Sequence, residues 1–179
     1  MKPSGVAIAI ILGILSLGAL AARPQNPQPQ LPMGEMHKAA VPAGPLKITF
    51  GDKSATWTVA TLASLPHVTV TVYNEHTKAN ETYSGVPLIA LLTPLGVSEH
   101  PRGKDLRLYV VAEGSDLYEV VYASGEITPD VSSSTVIVAD TENGKALTGD
   151  GPLKLIATGE KRPARWVRNL VAVKVFAAE

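Results

Sequence analysis

From residue 46 onward, apolar and polar residues alternate in short runs along most of the chain. Leu46-Lys47-Ile48-Thr49-Phe50 alternates, Gly51-Asp52-Lys53 marks a turn, and Ala55 to Val59 returns, which together predict a hairpin. Thr61 is placed to cap a short helical turn through Leu62 and Leu65 that Pro66 stops. His67 to Tyr73 alternates Val with Thr and predicts a strand, because β-branched side chains favour the pleated backbone. A polar loop, Asn74 to Asn80, separates it from a short strand over Glu81 to Ser84. Behind Pro87, which suits a first helical turn, Leu88, Leu91, Leu92 and Leu95 fall at helical spacing, and Gly96 is the expected stop.

Two further β-rich runs, Leu106 to Ala112 and Tyr118 to Ala123, flank Glu113-Gly114-Ser115-Asp116 and predict a second hairpin. Ser124 to Asp130 has room for one helical turn ended by Pro129. Thr135 to Ala139 reads as a buried strand, and Asn143-Gly144 is a hairpin turn of the kind that needs positive φ. The alternating run Leu153-Lys154-Leu155-Ile156 and a last strand through Val171, Val173 and Val175 complete the domain. Strands dominate and the helices are few and short, so the expected class is α+β, strand-rich, with mixed sheets rather than a repeating βαβ plan.

The first 45 residues are of another kind. Lys2 precedes the uninterrupted apolar or small-residue run Val6 to Leu20, and Ala19-Leu20-Ala21 fits a small-x-small cleavage pattern. The run is shorter than the ~20 residues of a spanning helix, which favours a cleaved signal peptide over residues 1–21 and leaves an uncleaved anchor as the alternative. No cysteine follows it, so a lipoprotein anchor is excluded. Residues 22–45 carry Pro24, Pro27, Pro29, Pro32, Pro42 and Pro45 among Gln, Asn and Gly, the composition of an extended linker. The remaining residues, 46–179, make one domain of about 135 residues, large enough for its own core. The expected location is periplasmic or secreted, with membrane contact only through an uncleaved signal segment. The formal net charge is zero, which argues against nucleic acid as partner. Zero cysteines exclude thiolate catalysis, cysteine-based zinc sites and iron–sulfur clusters.

Several short motifs stand in a fixed order: Leu62-Ala63-Ser64-Leu65-Pro66; Ser84-Gly85-Val86-Pro87-Leu88 through Leu91-Leu92 and Gly96-Val97; Asn143-Gly144-Lys145-Ala146-Leu147; and Gly151 to Val175, GPLKLIATGEKRPARWVRNLVAVKV. In this order and spacing the chain resembles the oxidoreductase molybdopterin-binding domain, the sulfite-oxidase-like fold, over roughly residues 46 to 176. The resemblance implies a pterin cofactor, molybdopterin, with basic residues near the last motif holding its phosphate or an oxyanion substrate. In enzymes of that family a cysteine thiolate, following a strand like His67 to Tyr73, also binds molybdenum. The corresponding stretch here, Val72-Tyr73-Asn74-Glu75-His76, offers phenol, amide, carboxylate and imidazole but no sulfur. Such hard ligands do not reproduce the electronics of a soft thiolate.

Among candidate residues the cluster Lys161, Arg162, Arg165 and Arg168 comes first, a local charge of +4 over eight residues in a neutral chain. Guanidinium groups present fixed forks of donors that match phosphate, sulfate or carboxylate. If the segment between Arg165 and Arg168 turns tightly, two or three of these groups share one cleft, with Trp166 as a wall through cation–π contact. Arginines that merely pair with acids are the alternative. Asn74 and His76 would close the opposite side. His67, Glu75 and His76 form a conceivable metal group, as do Met33, Met36 and His37 for copper(I), and Glu113, Asp116 and Glu119 with Tyr118 cluster at a hairpin. The reading is an exported domain that binds a small anionic or pterin-like ligand. Two alternatives stay open: a molybdopterin-dependent oxidoreductase with a non-thiolate metal ligand or a redox partner protein, and a ligand-free interaction module.

Overall fold

The computed structural model describes residues 44–179. The expected signal peptide, most of the expected linker and the Met33, Met36 and His37 group lie outside the described residues.

Two five-stranded sheets make the domain. In the first, β1 (Leu46–Phe50) and β2 (Lys53–Trp57) form the expected hairpin, with Leu46 opposite Trp57 and Phe50 opposite Lys53. The last strand, β10 (Leu170–Ala177), returns beside β1 in parallel and pairs on its other edge with β5 (Leu108–Gly114), which continues into β6 (Glu119–Ala123). The sheet is therefore mixed, and its order β2-β1-β10-β5-β6 ties the start of the described chain to its end.

The second sheet is antiparallel. β3 (Val68–Asn74) pairs with β4 (Ala79–Pro87), and β4 pairs with β7 (Val136–Glu142). The far edge of β7 is shared: β8 (Lys145–Ala146) takes Thr141 and Glu142, and β9 (Lys154–Ala157) takes Val136 to Ala139. Asn143 and Gly144 turn β7 into β8 with φ of 50° and 75°, the positive values that the Asn-Gly pair supplies.

Helices are as short as expected. The first, α1 (Val59–Leu62), is capped by Thr58 in a box with Thr61 rather than by Thr61 itself, because Thr58 holds the extended conformation and accepts the Thr61 amide at 3.1 Å. The second, α2 (Leu88–Leu92), buries Leu88, Ile89, Leu91 and Leu92, each worth roughly 1.5–3 kcal/mol on leaving water. It starts where β4 ends. That strand runs past the expected limit at Ser84 because Gly85, Val86 and Pro87 still pair with β7. The register shifts between Ser84 and Gly85, and a Cβ on Gly85 would stand 2.2 Å from the Val138 carbonyl oxygen. Only glycine lets the two backbones come so close.

The core joins both sheets through Ile48, Val110, Ala112 and Val173 of the first, Tyr83, Val86, Ile137 and Leu155 of the second, and the α2 leucines. β9 is buried along its whole length, Lys154 included. The expected strand over Leu153–Ile156 is there, and it is covered on both faces.

Candidate functional site

A cavity of about 680 Å³ opens where four connections converge. The β3–β4 loop contributes Asn74, Glu75, His76 and Lys78. The β5–β6 turn contributes Asp116 and Tyr118. Asp150 precedes β9 and Lys154 begins it. The segment before β10 contributes Arg162, Pro163, Ala164, Trp166 and Arg168. The volume falls within the range of small-molecule sites.

The β3–β4 loop is held from beneath by Glu81, a buried carboxylate on β4. Asn74 donates its amide to both Glu81 oxygens, at 3.0 and 2.8 Å, Thr77 donates at 2.7 Å, and the Tyr83 hydroxyl donates at 2.7 Å. Burial pushes the Glu81 carboxyl up, but bonds from Asn74, Tyr83 and Thr77, with Lys154 near, outweigh it and hold its pKa below the ordinary glutamate value. Glu81 is therefore ionised. Burial first, then the adjacent Glu81 carboxylate, pushes the Tyr83 phenol well above its usual value, so the hydroxyl keeps its proton.

Lys154 stands at the floor of the cavity. Its ammonium donates to the Tyr83 hydroxyl at 3.1 Å and to Asp150 Oδ2 at 2.6 Å, and lies 5.0 Å from the Tyr83 ring centre and 5.6 Å from that of Trp166. The two rings meet edge to face at 5.9 Å, and the Trp166 indole N–H donates to the Ala157 carbonyl at 3.0 Å. Trp166 thus lines the cavity, and the cation over it is Lys154 and not a flanking arginine.

The arginines divide. Arg162 and Arg168 line the cavity. Arg168 has one carboxylate near, Asp150 Oδ1 at 3.8 Å, and Arg162 has none within ion-pair distance among the described residues. Arg165 does not line it. The 3-10 turn Pro163–Arg165 sends its side chain to Glu160 and Glu126, at 2.5 and 3.0 Å, with the guanidinium 4.6 Å from the Tyr122 ring centre. Asn74 and His76 line the cavity, yet Asn74 is committed: its amide serves Glu81 and its oxygen accepts the His76 amide at 2.9 Å.

The other sequence candidates separate as well. Glu75 lines the cavity and pairs with Lys78 at 2.7 Å. His67 is not a lining residue and pairs with Asp140. Glu113 and Glu119 bind Lys174, whereas Asp116 and Tyr118 from the same hairpin face the cavity, and the Tyr118 hydroxyl donates to the Ala164 carbonyl. Sequence reasoning missed Lys154 and Asp150. Their signal is a lysine in a strand that has Asp four residues earlier and apolar neighbours on both sides. Lining cations (Lys78, Lys154, Arg162, Arg168) exceed lining carboxylates (Glu75, Asp116, Asp150) by one.

No family model matches the chain. It superposes on the crystal structure of the sulfane dehydrogenase SoxCD from Paracoccus pantotrophus with a TM-score of 0.59 and 23% identity, over 78% of this chain and 41% of that one. The fold is sulfite-oxidase-like. At this identity the likeness is one of fold. Over 82 residues the chain is 33% identical to the DNA primase small subunit PriS of Thermoplasma volcanium, covering 46% of this chain and 23% of that protein. The chain thus spans less than half the length of either protein.

In this sulfite-oxidase-like domain the residues that follow β3 do not fit a thiolate-held molybdenum. The chain has no cysteine, and Asn74 is turned inward to Glu81. Glu75, His76 and the opposite arginines are the side chains that face the cavity instead.

Proposed function

We propose that this is an exported domain that binds a small anionic ligand, of which a pterin bearing a phosphate is one form, in the cavity between the Asn74–Lys78 loop and the Arg162–Arg168 segment. The observation that carries the reading is Arg162 beside Arg168 on one wall, the first with no carboxylate partner among the described residues, above the buried ammonium of Lys154. Guanidinium forks and a desolvated ammonium favour an oxyanion, and Trp166 and Tyr118 offer flat surface beside them.

The chain's own residues would bind and orient the ligand. Arg162 and Arg168 would hold its oxyanion, and the Glu81-anchored loop would fix the opposite wall. A pterin would bring redox chemistry only with a metal held by ligands other than a protein thiolate. The test is the pterin and molybdenum content of the full-length protein after export from a host that makes the cofactor. Pterin without stoichiometric molybdenum supports a binding role, both together support an oxidoreductase, and neither limits the ligand to another anion.

A further inference from the structure

We propose that Asp150 is an internal counter-anion of this cavity, standing where the ligand's oxyanion binds, so that the ligand competes with it for Lys154 and Arg168. The proposal rests on the reading of the cavity as an anion site and adds how that site is regulated.

Lys154 is only 6% exposed. A buried ammonium with no anion beside it is strongly unfavourable, so some acceptor must fill that place when no ligand is bound. Asp150 does so. One of its oxygens accepts from the ammonium at 2.6 Å and the other stands 3.8 Å from Arg168 Nη1. Two oxygens on one centre spanning two cations is also the arrangement that a phosphate or sulfate presents. The Tyr83 hydroxyl takes a second ammonium proton, and the third has no protein acceptor among the described residues.

Exchange would need only a side-chain rotation. The Asp150 carbonyl is fixed by the Asn169 amide at 2.5 Å, and Gly151, at φ +81°, presses so closely on Asn169 that a Cβ would lie 2.6 Å from the Asn169 Cβ. The backbone is therefore held while the Asp150 side chain, 29% exposed, is free to turn toward solvent.

The experiment compares thermal melting of the full-length wild type, Asp150→Asn and the double variant Asp150→Asn/Lys154→Met, with inorganic phosphate or with sodium chloride at equal ionic strength. Asp150→Asn is expected to melt below wild type in chloride and to gain more from phosphate, with an apparent Kd at least tenfold tighter. The double variant, with no buried ammonium to satisfy, should lose that gain. If Asp150→Asn does not fold in chloride, refolding in phosphate should recover it; failure of that recovery would overturn the proposal. A phosphate response in wild type that is equal or weaker in Asp150→Asn overturns it too, because Asp150 then positions the cations. No response in either protein removes the anion reading itself, and the proposal with it.

Discussion

The Tyr83 hydroxyl donates to the Glu81 carboxylate at 2.7 Å, two residues away on the buried face of β4, and accepts the Lys154 ammonium at 3.1 Å. One phenol thus joins the anion under the β3–β4 loop to the cation at the cavity floor. Because Glu81 also takes Asn74 and Thr77, the loop that forms one wall is fixed by a carboxylate that never faces the ligand.

Glu81→Gln should therefore cost stability. The amide nitrogen would face donors from Asn74, Thr77 or Tyr83, leaving buried groups unsatisfied at about 2 kcal/mol. The pH dependence has a definite sign. Since the folded pKa is below the ordinary 4.5, the wild type has the full Glu81 contribution above that value and loses it as pH falls through the folded pKa. Urea unfolding from pH 3 to 7 should show the acid-side loss in wild type and a flatter profile in Glu81→Gln.

Arg165 carries the opposite expectation from its neighbours. Its ion pairs with Glu160 and Glu126 are partly exposed, so Arg165→Met should cost about 1 kcal/mol of stability. It should leave phosphate binding within twofold of wild type. A tenfold loss on titration would bring Arg165 back into the site.

His67 places both ring nitrogens against acceptors, Asp140 Oδ2 at 2.9 Å and the Leu65 carbonyl at 2.7 Å. Two acceptors require a doubly protonated ring. The bond to Asp140, then that to Leu65, raises the His67 pKa above 6.5, against a smaller opposing effect of burial. Its contribution is therefore complete below 6.5 and lost as pH rises through the folded value. Thermal melting of His67→Asn across pH 5.5 to 8.5 should lack the alkaline-side decline of the wild type; parallel curves would refute this.

Gly85→Ala is expected to be among the most damaging small substitutions. A methyl 2.2 Å from the Val138 carbonyl cannot be accommodated without parting β4 from β7, at a cost of about 3 kcal/mol. Equilibrium unfolding measures it directly.

The strands were legible because period-2 alternation records one buried face, as in Leu46 to Phe50 and Val68 to Tyr73. Alternation says nothing of Lys154, because a strand covered on both faces can bury a polar position as well as its apolar ones. The division among the arginines was hidden for a different reason. Arg162, Arg165 and Arg168 are equivalent by composition, and only the 3-10 turn at Pro163 decides which of them meets Glu160 and Glu126. Lys154 reaches Tyr83, far off in the sequence, only because β4, β7 and β9 lie side by side, a topology that no local pattern encodes.

The central claim is that Arg162 and Arg168 make the cavity an anion site. Calorimetric titration of the full-length protein with inorganic phosphate, wild type against Arg162→Glu/Arg168→Glu, tests it most directly. Saturable binding in wild type, weakened at least tenfold in a double variant that melts within a few degrees of it, is the expected result. Equal binding in the two proteins, or none in the wild type, would contradict the account.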